Sequence, residues 1–170
     1  VTREIFRRKP RLLHVVDISE NNMVELVRDI RSTMGYIDGD FRTFSIDTNS
    51  HEFQALMNAG AGYDYVLNLS ALKHVRSEKD PFTLMRLIQV NILNTIATIQ
   101  QARQVDAQKY FCVSTDKAAN PINLYGATKL TSDKLFISAN NYIGKRKTKF
   151  SVVRYGNCLL YTSPSPRDAT

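Results

Sequence analysis

The strongest chemical signal in these 170 residues is the run Tyr125-Gly126-Ala127-Thr128-Lys129. On a helix, a four-residue offset brings Tyr125 and Lys129 to one face. There a lysine ammonium favours the phenolate, which makes the tyrosine a usable base near neutral pH. Alone the pair is weak evidence, since most Tyr-x-x-x-Lys pairs on helices are surface neighbours. Its setting strengthens it. Ser114-Thr115-Asp116-Lys117 stands at the carboxyl end of a strand-like run, where open α/β sheets place their ligand sites. The loop from Lys117 to Tyr125 is long enough to return the chain to the same crevice. Asp116 and Lys117 together supply an acid and a base. Two adjacent charges are ordinarily an exposed loop pair, but the neighbouring Tyr125/Lys129 pair favours the chemical reading.

The elements that must position these residues follow an alternating pattern. Apolar runs alternate with amphipathic stretches, the mark of β-α-β units and a parallel sheet. Residues 2–9 read as the end of a helix, and Leu12 to Ile18 as a strand covered on both faces. Met23, Leu26, Val27 and Ile30 recur at helical spacing. A short strand is expected near Phe41–Ile46, then a helix capped by Ser50, carrying Phe53, Leu56 and Met57 and stopping at Gly60. Tyr65 to Leu69 is the next strand. Asp80-Pro81 starts a helix to about Arg103, with Leu84, Ile88, Ile92, Ile96 and Ile99 as its apolar stripe. Lys109–Ser114, Tyr125 to about Tyr142, and Phe150–Arg154 complete the order as strand, helix and strand.

Composition bounds the alternatives. A chain with 43% hydrophobic and 23% charged residues suits one globular domain. No apolar run is expected to reach the span of a bilayer, and no signal peptide is visible, so the cytoplasm is the expected compartment. Cys112 and Cys158 lie far apart without metal-type spacing, which argues against both a metal site and a disulfide framework. Cys112 reads as a buried, inert thiol. The net charge of +7 comes largely from Arg3, Arg7, Arg8, Lys9 and Arg11, and from Lys145, Arg146, Lys147 and Lys149. These clusters lack the interleaved aromatics of a nucleic-acid platform. They read as solvated helix ends and loops, with some attraction for a phosphorylated substrate; no nucleic-acid partner is expected.

Three stretches, Ala71-Leu72-Lys73-His74-Val75, the run STDKAANPINLYGATKL, and VVRYGN, together resemble the UDP-N-acetylglucosamine 4,6-dehydratase (CapD-like) family of bacterial polysaccharide biosynthesis, among the extended short-chain dehydrogenases/reductases. The likeness runs in order through most of residues 1–157. It implies an α/β fold with a Rossmann-like, doubly wound parallel sheet, here truncated at both ends, followed in the family by a smaller sugar-binding domain. Residues 1–157 are then expected to be a partial NAD(P)-binding domain lacking the first strand and glycine-rich turn. Residues 158–170 are expected to be foreign, because Cys158 to Asp168 resembles a translated sequencing-library adapter.

The resemblance also implies roles. Tyr125 takes the proton of the sugar 4-hydroxyl, and Lys129 holds the tyrosine's charge state and the nicotinamide ribose. Lys117 removes the C5 proton, Asp116 protonates the departing 6-hydroxyl, and Thr115 orients the sugar or the acid. The scheme needs Lys117 in part neutral, through burial or neighbouring cations. Asp17 ends its strand where a carboxylate binds the adenosine ribose and repels a 2′-phosphate, which favours NAD over NADP; a helix cap before Ile18-Ser19-Glu20 is the competing reading. Asp47 with Thr48 matches the adenine-contacting position, although Ile46 replaces the family's usual glycine. Leu69, Ser70 and Ala71 lie against the cofactor, while Asn68 and Leu69 depart from the more usual His-Ala. Lys73 meets substrate phosphate, supported by His74, and Asn157 contacts substrate. Asn91 either braces the active-site backbone or lies on a solvated face. The substrate implied is a UDP-sugar and the parent an enzyme, with this stretch alone inactive and the parent's oligomerisation left open. The rival readings are a nucleotide-sugar 4-epimerase, which needs Tyr125 and Lys129 but not Asp116/Lys117, and a noncatalytic NAD(P)-binding or scaffold protein.

Overall fold

A computed structural model describes residues 1–60, 62–73, 80–142 and 144–156. His74 and Asn157, and the whole 158–170 stretch, lie outside the described residues. The chain divides into two compact units, Val1–Gly60 and Ala61–Thr170.

The first unit contains α1 (Thr2–Arg7), β1 (Leu12–Asp17), α2 (Glu20–Met34), β2 (Asp40–Ser45) and α3 (His51–Asn58). Strands β1 and β2 are parallel, with Leu12 opposite Asp40 and Asp17 opposite Ser45. Helix α2 starts where the Ser19 hydroxyl accepts the Asn22 N–H and ends at Gly35, whose φ of 74° a residue with a side chain rarely adopts. Ser50 caps α3 in the same way, accepting from Phe53 N–H at 3.2 Å. Phe6 packs edge-to-face on Phe41, and Met23, Ile30, Phe53 and Met57 are buried. Part of the basic cluster is paired within this unit: Arg3 on Asp29 and Arg8 on Glu4.

The second unit contains β3 (Tyr65–Asn68), α4 (Pro81–Ile88), a π-helical turn (Gln89–Leu93), α5 (Asn94–Gln104), β4 (Lys109–Thr115), α6 (Leu124–Ala139) and β5 (Lys149–Tyr155). Its three strands are parallel in the order β3-β4-β5. Tyr110, Phe136 and Phe150 form an aromatic triangle with centroids 5.0–6.0 Å apart, surrounded by Ile99, Ala102, Cys112 and Ala139. Aromatic groups of this size dominate core energetics.

Two expectations about residues 81–104 are corrected. The helix is not continuous α-helix, because the π-turn inserts an extra residue per turn and rotates α5 relative to α4. The buried positions are consequently Leu87, Asn91, Asn94, Thr95, Thr98, Ile99, Gln101 and Ala102. Of the expected stripe only Ile99 is buried; Leu84, Ile88, Ile92 and Ile96 are half-buried. The second correction concerns length. The 24 residues Pro81–Gln104 form a helix long and apolar enough to cross a membrane, although its polar inner face packs against α6 within the unit.

Candidate functional site

The carboxyl end of β4 turns directly into a 3₁₀ turn, Asp116–Ala118. Thr115 builds that turn: its hydroxyl donates to Asp116 Oδ1 at 2.8 Å and accepts the Lys117 N–H at 3.4 Å. Asp116 Oδ1 also accepts the Lys117 N–H at 2.8 Å. Thr115 therefore fixes the Asp116 carboxylate.

Helix α6 begins at Asn123, whose side chain accepts the Gly126 N–H at 2.9 Å. Gly126 is needed for contact rather than for its backbone angle. A Cβ there would stand 2.6 Å from the Lys117 carbonyl oxygen and 3.1 Å from Pro121 Cβ. The Asp116–Lys117 turn thus lies directly on the first turn of α6, beside Tyr125. The expected partners are brought together. On the other side, Tyr155 of β5 is in register with Thr115, and the Cβ position of Gly156 is 3.9 Å from Asp116 Oδ2.

Burial and charge differ across this centre. Tyr125 is half-buried, and its phenol is pushed above the usual tyrosine range, first by burial and then by the Asp116 carboxylate. Lys129 Nζ donates to the Val113 carbonyl oxygen at 2.8 Å. Lys117 is exposed, where burial was one of the two conditions expected of it.

The backbone around this centre is held by Asn91, in the middle of the π-turn and 2% exposed. Its Oδ1 accepts the Leu72 N–H and its Nδ2 donates to the Leu72 carbonyl, each at 2.9 Å; Nδ2 also reaches Thr128 Oγ1 at 3.1 Å. Ser132 of α6 and Thr95 of α5 both donate to the Asn91 carbonyl. Of the two readings of Asn91, the bracing one is correct and the solvated one is not. A π-turn frees backbone carbonyls from the regular ladder, which explains why side-chain hydroxyls gather there.

The loop Leu69–Ala71 follows β3 and is exposed. Asn68 shapes it, accepting both the Ser70 N–H at 3.1 Å and the Ser70 hydroxyl at 2.7 Å. Lys73 is exposed. In the first unit Asp17 ends β1 and its carboxylate accepts the Ser19 N–H at 2.8 Å. Ser19, not Asp17, caps α2, so the capping reading of Asp17 is corrected. Asp47 accepts the Asn49 N–H at 2.8 Å in a local turn, next to half-buried Thr48. Among the described residues no three His, Cys, Asp or Glu side chains converge as metal ligands.

Sequence reasoning passed over one pair in the second unit. Asp133, one turn beyond Lys129 and 1% exposed, is bonded to Arg154 Nε at 2.8 Å. The i, i+4 spacing of Lys129 and Asp133 was the available signal.

Residues 1–163 match the family of polysaccharide biosynthesis proteins. The chain belongs to that family. Among its curated relatives, an uncharacterized membrane protein of Methanocaldococcus jannaschii, MJ1061, is 38% identical over 160 residues, covering 94% of this chain and 45% of the relative. A UDP-N-acetylglucosamine 4,6-dehydratase (inverting) of Campylobacter jejuni is 38% identical over 153 residues, covering 89% and 42%. The chain therefore spans less than half the length of these two relatives. The fold agrees: an X-ray structure of Pen from Bacillus thuringiensis superposes with a TM-score of 0.78 and 30% identity, over 92% of this chain and 46% of that one. The family setting is that of nucleotide-sugar dehydratases and epimerases, and the parallel α/β architecture is Rossmann-like.

Proposed function

We propose that this chain carries the catalytic centre of a nucleotide-sugar 4,6-dehydratase acting on UDP-N-acetylglucosamine or a close analogue. The observation that carries the reading is the seating of the Asp116–Lys117 turn on the Gly126 backbone, beside Tyr125. An epimerase needs Tyr125 and Lys129 alone; a dehydratase also needs an acid and a base at C5 and C6.

The side chains fit a nicotinamide dinucleotide in their donor chemistry. Asp17, fixed at the end of β1, suits paired ribose hydroxyls and favours NAD over NADP. Thr48 and Asp47 in the same unit would contact the adenine. When bound, the nicotinamide supplies the redox chemistry, accepting hydride from C4 and returning it to C6.

The chain's own residues do the proton work. Tyr125, at the amino end of α6 where the helix dipole favours an anion, takes the 4-hydroxyl proton. The resulting 4-ketone acidifies C5. Lys117 then removes the C5 proton while Asp116, oriented by Thr115, gives its proton to the departing 6-hydroxyl, which leaves as water. A solvent-exchangeable proton is restored at C5. Lys129 anchors the α6 face below Tyr125, and Lys73, with His74 and Asn157, would meet the substrate.

The test is turnover of UDP-N-acetylglucosamine by the full-length protein containing this chain. Tyr125→Phe is expected to lower kcat/KM by about a hundred- to ten-thousand-fold. Lys117→Ala is expected to abolish the 4-keto-6-deoxy product. Unchanged turnover in Lys117→Ala, with a C4-inverted sugar as product, would establish the epimerase instead.

A further inference from the structure

Beneath the proposed centre, the second unit buries two opposite charges. Lys129 is 3% exposed and Asp133 1% exposed, and both face the sheet from α6. They are not in direct contact; each is fixed by a different strand. Lys129 Nζ donates to the Val113 carbonyl of β4. Asp133 Oδ2 accepts from Arg154 Nε of β5 at 2.8 Å. The other carboxylate oxygen, Oδ1, is buried with no hydrogen-bond partner among the described residues, as is the hydroxyl of Ser114, directly opposite Arg154 in the β4–β5 ladder. A buried carboxylate normally fills its acceptor sites, and an isolated buried charge is costly. A half-satisfied Asp133 that only clamped β5 would be a poor structural choice, since an amide or an apolar pair would serve.

We propose that Asp133, clamped by Arg154, is a positioning residue that supplies the counter-charge for the buried Lys129 ammonium. Among the described residues, the surroundings leave it as the anion for that task. Facing the pair, β4 brings the Cys112 thiol, which feels both charges: Lys129 draws its proton off and Asp133 holds it on. From β5 comes Arg154, the same sign as Lys129. The π-turn brings only neutral side chains. Arg103 of α5 is turned to the Tyr142 carbonyl, and Arg86 of α4 and Tyr142 are exposed. Asp116 stands at the other end of the helix, by Tyr125. The arrangement ties β5 to the lysine one helical turn from the proposed base Tyr125, and for that purpose alone it rests on the reading of Tyr125 given above.

The test needs no substrate, so its failure is distinct from failure of the dehydratase reading. Amide-free ¹⁵N spectra of the lysine ammonium groups are recorded on the chain, the Lys129 signal being identified by its loss in Lys129→Met. The protected Lys129 ammonium is expected to exchange its protons about tenfold faster or more in Asp133→Asn, as a buried charge that has lost its counter-charge. Asp133→Glu is expected to restore protection, which a purely steric role would not do. An unchanged signal in folded Asp133→Asn overturns the proposal. Should Asp133→Asn not fold, the Lys129→Met/Asp133→Asn double variant decides. Recovery of folding supports charge balance, and failure to recover means that Asp133 serves Arg154 alone.

Discussion

Cys112 illustrates how a single buried side chain reports on its surroundings. Burial pushes its thiol up to about 11 from an ordinary value of 9.0, Lys129 opposing and Asp133 reinforcing the shift. Unfolded chains lose the thiol proton near pH 9, whereas the folded chain keeps it to about pH 11. The stability the proton contributes is therefore intact below pH 9 and lost as pH rises through that window. The expected loss is about 2–3 kcal/mol by pH 11. Urea denaturation of the chain and of Cys112→Ala across pH 8–11 checks this: the difference between their pH slopes should fall in that window. The meeting of the Asp116–Lys117 turn with the start of α6 beside Tyr125 was legible at this scale, because residue types and their spacing along a strand end and a helix pointed to it. The raised phenol of Tyr125 was not, because it depends on how deeply the ring sits and how near the Asp116 carboxylate comes.

At the scale of elements, the strands and helix caps followed closely from the sequence. Ser50 and Asp80-Pro81 start their helices as expected, since capping is a local side-chain-to-backbone interaction. The π-turn was not legible. Its cause is tertiary: Asn91 turns inward to pair with both backbone groups of Leu72, and no periodicity within residues 81–104 encodes that partner. Asn91→Leu keeps the volume and removes these bonds, leaving the Leu72 N–H and carbonyl unpaired while the Thr128 hydroxyl keeps its bond to the Tyr125 carbonyl. A cost of about 2–4 kcal/mol is expected, measured by denaturant unfolding, together with faster amide exchange at Leu72. Gly126→Ala tests the second contact between elements. The added methyl must push the Lys117 carbonyl away, so a loss of about 1–3 kcal/mol is expected, with activity of the full-length protein falling further than stability predicts. Phe136→Ala, at the centre of the aromatic triangle, is expected to cost about 3–5 kcal/mol by the same unfolding measurement.

At the scale of the whole molecule, the chain is two α/β units belonging to the polysaccharide biosynthesis family and spanning less than half the length of its relatives. The alternation of apolar runs made the parallel architecture legible, because β-α-β units impose it on any sequence. The division into two units was not, since it reflects which strands find hydrogen-bonded neighbours. The central claim at this scale is that Tyr125, Asp116 and Lys117 act together to eliminate water across C5 and C6. The most direct measurement is the position of deuterium in the product when the full-length protein containing this chain turns over UDP-N-acetylglucosamine in D₂O. The account predicts a 4-keto-6-deoxy sugar with one deuterium at C5, lost as a product altogether in Lys117→Ala. A C4-inverted sugar without solvent deuterium, or no turnover at all, would contradict it.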